Sequence, residues 1–203
     1  MNNSDKQIYI KRYNKRLTEF GYDTRSLGWG GGQERQFLRF QKAIDFINFS
    51  EHKITSVLDV GCGFGDLGNW LSDYYPSIEY TGIDINTKLI DIGVQKFKLN
   101  LLIRDIFDID FDSFDLVVSN GIFNAELKNE DQIEYLEKYL NSFFSICRFG
   151  FVADFMSNFV DFKQHGAYHT KEEDILNIIK NFSKRYIIRN DYLDYEYMIY
   201  VFK

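Results

Sequence analysis

The sequence predicts an open α/β fold: a mostly parallel sheet with helices on both faces, a helical cap before it and a reversed strand at its end. Three observations carry this expectation. From residue 54 onward, short β-branched and aromatic runs alternate with amphipathic helical runs, the pattern of strands joined by helical crossovers. The first strand runs directly into a turn with three alternating glycines. The 203 residues are 45% apolar and 18% aromatic, with 20 Phe and 14 Tyr, which is enough to bury a core rather than stay disordered.

The elements follow in order. Residues 5–20 have helical spacing, with Ile8, Tyr9, Tyr13, Leu17 and Phe20 near one face and Gly21 placed to end them. The run Gly28-Trp29-Gly30-Gly31-Gly32 is too permissive for regular structure and is a hinge candidate. A helix is expected over about 33–49, with Phe37, Phe40, Ile44 and Ile47 on its apolar side. Strands are expected at 54–60, 78–84, 99–103, 114–119 and 148–154, with helices at 66–74 and 87–97 between them. Asn129 is expected to cap the long helix that carries Ile133, Leu136, Leu140, Phe143 and Phe144. Thr170-Lys171-Glu172-Glu173 has the form of a capping box for a helix over 170–182. Two β-rich runs, 185–189 and 195–202, are close enough for an antiparallel hairpin and a reversed last strand. No repeat, low-complexity segment or proline-rich linker divides the chain, so one domain is expected over 1–203, with 1–50 as a helical cap or lid and 54–203 as the core.

Charge and composition narrow the function. Lys and Arg number 24 against 30 Asp and Glu, a net charge of -6, so no general attraction to nucleic acid or anionic lipid is available. No apolar run reaches the roughly 18 residues of a membrane span, and the first residues lack a secretory apolar core, so a cytoplasmic protein is expected. Cys62 and Cys147 lie outside any metal-ligand spacing, so reduced thiols and no metal centre are expected.

In open α/β folds ligands bind beyond the carboxyl ends of the strands, so the residues after each strand matter most. The turn Asp59-Val60-Gly61-Cys62-Gly63-Phe64-Gly65-Asp66 lets backbone N–H groups approach a nucleotide-like ligand. Asp66 stands where the dinucleotide fingerprint needs glycine, and a carboxylate at the first helical turn opposes a pyrophosphate. A cationic ligand without phosphate fits Asp59 and Asp66 better. A tight turn with no ligand is the bland alternative. Asp84 ends the second strand about 20 residues further on, where a carboxylate can accept from both hydroxyls of a ribose; the other reading is a helix cap, which Asn86 or Thr87 can also provide. After the third strand, Asp105 is placed to accept an adenine amino group with Ile106 over the ring, or is only a turn residue. Ser119-Asn120-Gly121 follows the fourth strand, beside the place of a transferable group.

These motifs together resemble a class I S-adenosylmethionine-dependent methyltransferase. VLDVGCGFG is similar to the family's first motif, YTGIDIN to its second, RDI to its adenine loop and FDLVVSNGIF to its fourth. The resemblance implies a Rossmann-like seven-stranded sheet with a reversed last strand, S-adenosylmethionine as cofactor with S-adenosylhomocysteine (SAH) as its product, and an oxygen or nitrogen of a small molecule as acceptor. The cofactor set expected is Asp59, Gly61, Cys62, Gly63, Asp84, Ile85, Asp105, Ile106, Asn120 and Gly121. A narrower resemblance, through SLGWG, GCGFGDL, SNGIFN and the final IIRNDYLDYEYMIYVFK, is to a bacterial small-molecule group found among surface-polysaccharide genes, some associated with capsule O-methyl phosphoramidate. Asn190 departs from that group, where histidine is more usual.

A sulfonium methyl is already activated, so a base is needed only if the acceptor must lose a proton. His165, Tyr168 and His169 are the candidates, either at the rim of an acceptor pocket or on a solvated loop. His52 precedes the first strand, at the far end of the sheet, and is expected to be a surface residue. Trp29 is either a lid edge or core. Tyr13, Arg35 and Arg39 either meet the cofactor's carboxylate or an anionic acceptor, or line an exposed helix face. The competing classes are an NAD-linked oxidoreductase, disfavoured by Asp66, and a binding protein on the same fold.

Overall fold

A computed structural model describes residues 1–108 and 113–203. Seven strands form one sheet: β1 (Ser56–Val60), β2 (Glu79–Asp84), β3 (Asn100–Ile103), β4 (Phe114–Ser119), β5 (Cys147–Met156), β6 (Tyr186–Arg189) and β7 (Glu196–Phe202). Their order is β3-β2-β1-β4-β5-β7-β6, with β7 antiparallel to both β5 and β6 and the first five strands parallel. The expected reversed last strand is therefore present. The order turns back between β1 and β4, which opens a crevice at the carboxyl ends of those strands.

The strands alternate their side chains between two apolar layers. Leu58, Val117, Phe151 and Ile199 face helices α6 (Gln132–Ile146) and α7 (Glu172–Ile179), meeting Leu136, Phe143 and Ile175. Val57, Leu116, Val152 and Tyr200 face α2 (Gly32–Ile44), α3 (Phe46–Phe49) and α4 (Asp66–Tyr74), meeting Phe40, Phe46 and Leu71. Burial on both faces explains why the central strands read as almost continuous apolar runs. Each fully buried Leu or Phe contributes roughly 1.5–3 kcal/mol. Among the described residues no helix is long and apolar enough to cross a membrane.

Several boundaries differ from the sequence expectation, mostly where partners distant in sequence claim the groups concerned. The helix expected over 33–49 breaks at Asp45, whose carboxylate accepts from Arg189 Nη1 at 2.8 Å. Asn129 does not cap α6. Asp131 does, accepting from the N–H groups of Ile133 and Glu134. The capping box at Thr170 does not form either. Thr170 is held extended against β5, its N–H donating to Met156 O and its carbonyl accepting from Asn158, so α7 begins only at Glu172. Asn86 caps α5 (Thr87–Lys96) by accepting from the Lys88 N–H.

The N-terminal helix α1 (Asn3–Phe20) is tied to the rest by the buried carboxylate of Asp5 and by the pairing of Lys6 with Asp105. Asp5 is 0% exposed and accepts from the backbone of Lys128 and Asn129 and from Asn129 Nδ2, at 3.0–3.1 Å. Burial pushes its carboxyl up, but these hydrogen bonds outweigh that and hold it below its ordinary 3.8. Asp5→Ala is expected to destabilise the protein by about 2–4 kcal/mol, since it leaves several donors without their partner. Because the folded value is depressed, this contribution is present above the unfolded value and is lost as pH falls through the folded one, below 3.8. Denaturant titrations of both proteins at neutral and strongly acid pH check this. Equal stability at neutral pH would show that the carboxylate does not anchor α1.

Candidate active site

The carboxyl ends of β1, β2 and β4, capped by α1 and the Gly28–Gly32 segment, enclose a cavity of ≈750 Å³. Its floor is the glycine turn after β1. Gly61 and Gly63 have positive φ, 78° and 59°, and a Cβ there would lie 2.2 Å from Ile122 and 2.9 Å from Leu27. The N–H groups of Gly61 and Cys62 both donate to Ile83 O, which fixes the turn against β2.

Three carboxylates surround this floor. Asp84 accepts from the Gly63 N–H at 3.0 Å and from the Asn86 N–H at 2.8 Å, and burial pushes it up to about 6. Because Asn86 provides the cap of α5, Asp84 is left to the cavity wall. Asp59 accepts from the Tyr80 hydroxyl at 2.7 Å and is pushed up to about 7 by burial, against the lowering effect of that bond. Asp66 accepts from Tyr22 and from Gln36 Nε2 and is likewise raised by burial. Among the described residues none of the three forms an ion pair. A pocket of this kind favours a cation.

The remaining cofactor candidates also line the cavity: Cys62, Ile85, Asp105, Ile106, Asn120 and Gly121. Asp105 is not free, however. Lys6 on α1 pairs with it at 2.7 Å, and the Phe107 N–H donates to its other oxygen. Both polar atoms of the Asn120 amide are buried without a partner among the described residues, so a ligand that donates and accepts fits there. Gly121 has φ 85°, and a Cβ would fall 2.9 Å from the Trp29 ring. Trp29 therefore lies directly over the loop after β4, on the cavity wall.

Below Trp29 is a charged network that the sequence reading did not anticipate. The Arg39 guanidinium lies 4.5 Å from the Trp29 ring centroid and makes two hydrogen bonds to the Glu196 carboxylate. Asp154, 0% exposed, accepts from the Gly121 N–H at 2.5 Å, its other oxygen has no partner among the described residues, and burial beside Glu196 raises it. Arg39 lines the cavity, with its charge already paired within the protein, and the alternative that it sits on an exposed helix face is corrected, since it is 2% exposed. Arg35 donates to the Tyr195 hydroxyl. Tyr13 does line the cavity, its hydroxyl raised by burial.

The three catalytic candidates separate. His165 is exposed on the cavity rim. His169 is buried, with Nδ1 against Ser157 O at 2.7 Å and Nε2 accepting from the Gln164 N–H at 3.0 Å. Both ring nitrogens are used to hold the 157–170 loop, so His169 has no nitrogen left for an acceptor. Tyr168 packs against the core cluster beside α6 and α7 instead of lining the cavity. His52 is exposed and stacks on Phe149, away from the cavity.

Some cavity residues were missed in the sequence. Arg12 and Arg16 of α1 line the wall, one helical turn apart, with Tyr9 and Tyr13. The signal was their i, i+4 spacing beside the apolar face already identified. Tyr135 and Tyr139 of α6 complete an aromatic side.

Comparison with known proteins places this cavity in context. Residues 57–142 match the family model of a methyltransferase domain. A malonyl-[acyl-carrier protein] O-methyltransferase of Anoxybacillus flavithermus is 29% identical over 141 residues, 68% of this chain and 50% of that protein. The chain thus spans about half the length of this relative. A Mycobacterium tuberculosis protein described as a methyltransferase is 28% identical over 155 residues, 73% of this chain and 93% of its own. A shorter match, 34% over 77 residues and 23% of that protein, is to a ribosomal RNA small subunit methyltransferase C of Haemophilus ducreyi. The crystal structure of the magnesium protoporphyrin IX methyltransferase from Synechocystis with bound S-adenosylmethionine superposes with a TM-score of 0.68 at 18% identity, over 100% of both chains. That likeness is one of fold.

Proposed function

We propose that this chain is a class I S-adenosylmethionine-dependent methyltransferase acting on an oxygen or nitrogen of a small molecule. The observation that carries the reading is the trio of carboxylates, Asp59 buried and Asp66 and Asp84 half-buried, around a glycine turn and without an ion pair among the described residues. A pyrophosphate at the start of α4 would face Asp66, which speaks against a nicotinamide dinucleotide. When bound, the cofactor supplies a methyl group activated by a sulfonium.

The chain's residues hold and orient. Asp84 accepts from the ribose hydroxyls, while the backbone at Gly61, Cys62 and Gly63 admits the ligand without side-chain interference. Ile85 and Ile106 flank the base, with Asp105 at its edge. Asp59 and Asp66 face the cationic centres, and the Asn120 amide and Gly121 lie beside the reacting groups. Trp29 excludes water from above. The larger task is near-attack geometry, which these fixed elements provide. His165 takes up a proton at the rim where the acceptor must lose one; an anionic acceptor needs no base.

The whole chain reads as one domain with residues 1–50 as its cap, working in the cytoplasm. Its net charge of -6 favours a small acceptor over nucleic acid. A finer reading, that the acceptor is a surface-polysaccharide precursor such as a phosphoramidate, rests on the resemblance carried by SLGWG, GCGFGDL and SNGIFN. Isothermal titration with SAH, NAD and a short structured RNA tests the class: SAH alone is expected to bind. Failure of SAH to bind, or binding of NAD in its place, overturns the reading, and a salt-sensitive RNA complex overturns the small-molecule acceptor.

A further inference from the structure

Several cations in or beside the cavity are already answered by carboxylates, and Arg104, also on the wall, is exposed to solvent. Lys6 is held by Asp105, Arg39 by Glu196 and Lys128 by Glu126. Arg12 and Arg16 are the exceptions on α1. Both are half-buried on the cavity wall, and among the described residues neither guanidinium makes a hydrogen bond or ion pair. Each lies near an aromatic ring, Arg12 5.6 Å from the Tyr9 centroid and Arg16 5.8 Å from that of Tyr13, and the one carboxylate whose charge Arg12 feels, Glu126, is already paired with Lys128. A guanidinium taken partly out of water and left unpaired calls for an anion, and its planar donors suit a carboxylate or phosphate.

The two do not serve the same end of the cavity. Arg16 presses on Gly28, where a Cβ would fall 2.3 Å from its Nη1, and the adjoining Leu27 packs on Gly63 in the glycine turn. It stands at the cofactor end. Arg12 reaches the opposite side, its Nη2 4.0 Å from where a Cβ on Gly166 would lie, next to His165 on the rim. The cofactor brings one carboxylate, which Arg16 is placed to meet. That leaves Arg12 without an ion pair of its own among the described residues, since Glu126 is held by Lys128, unless the acceptor brings an anion.

We propose that the methyl acceptor carries an anionic group, a carboxylate or a phosphate-type oxyanion, and that Arg12 is the residue that binds it at the His165–Gly166 rim. This rests on the methyl-transfer reading of the same cavity. It assigns Arg12 to acceptor selection and Arg16 to the cofactor, so the two arginines have separable phenotypes.

The test titrates benzoate and phenyl phosphate as anionic probes, and benzamide as the neutral one, into the wild-type protein and Arg12→Gln, each with and without saturating SAH. Both proteins are expected to bind SAH within about threefold of one another. The wild type binds at least one anion more tightly than benzamide, and Arg12→Gln weakens that anion roughly 10- to 100-fold, the effect of losing a charge-assisted contact. Preference between the two anions separates a carboxylate acceptor from a phosphate one. Arg12→Lys restores part of the affinity, and matching thermal melts set a folding defect apart. Anions that bind no better than benzamide, or equally well to Arg12→Gln, overturn the subsite. Should SAH fail to bind the wild type, the methyl-transfer reading falls, while the probes titrated without SAH still decide the role of Arg12.

Discussion

Asp84→Ala is expected to weaken SAH binding by about two orders of magnitude or more, because it removes two charge-assisted hydrogen bonds of roughly 1.5–3 kcal/mol each. The wild-type affinity should itself depend on pH. Burial raises the Asp84 carboxyl from 3.8 to about 6, so below about pH 6 it holds a proton and loses its advantage as an acceptor for a sugar diol. Affinity is thus expected to be full near pH 8 and to fall as pH drops through 6. The ligand-free protein should show the opposite trend. A folded value raised above the unfolded one means that the charged form is penalised only in the folded state, so the penalty is complete above about 6 and vanishes below 3.8. Its size is of order 1–2 kcal/mol once solvent screening at this half-buried group is allowed for. Asp59, raised to about 7, acts in the same sense. Titration at pH 6 in two buffers of different ionisation enthalpy should detect proton release when SAH binds. An affinity flat from pH 5 to 8, or one unchanged in Asp84→Ala, would mean that this carboxylate does not hold the ligand.

The extent to which the sequence disclosed this site follows from how local each cause is. The floor was legible because alternating glycines and a carboxylate at the end of the next strand are properties of adjacent residues, and every cofactor candidate lies on the cavity wall. The helix starts at 129 and 170 were misplaced because local hydrogen-bonding capacity was outbid by distant partners. Asn129 is drawn to Asp5 on α1, and Thr170 is drawn to β5. Arg39 was read as free because its partner, Glu196, lies 157 residues away. A separation of 33 residues from Gly121 likewise hid Asp154, whose importance appears only when β5 and the loop after β4 are brought together. His169 looked reactive, yet a buried ring with both nitrogens occupied is a fastener. Sequence patterns reported what neighbours dictate, and the charge network required the sheet.

Arg39→Ala is expected to be among the most destabilising single changes near the site, costing roughly 3–5 kcal/mol. Burial disfavours the Arg39 charge, but the Glu196 pair outweighs that and stabilises it. Removing the guanidinium strands Glu196, 4% exposed, beside Asp154, 0% exposed, with no cation between them. For a domain of this size the melting temperature should fall by about 10 °C. The loss should shrink under acid conditions, because Asp154 is already raised and its protonation relieves the repulsion. Arg39→Lys is expected to recover only part of the loss, since an ammonium cannot reproduce both the two-pronged contact and the stacking on Trp29. Combining Arg39→Met with Glu196→Leu should come close to the wild type in stability, as replacing both members of a buried pair often does. It would still bind SAH less well, because Trp29 loses the cation that holds its ring over Gly121. Melts and SAH titrations of the three variants separate the two roles of Arg39. If the double variant melts as low as Arg39→Ala, the lost stability came from the packing of Trp29 and not from a stranded carboxylate.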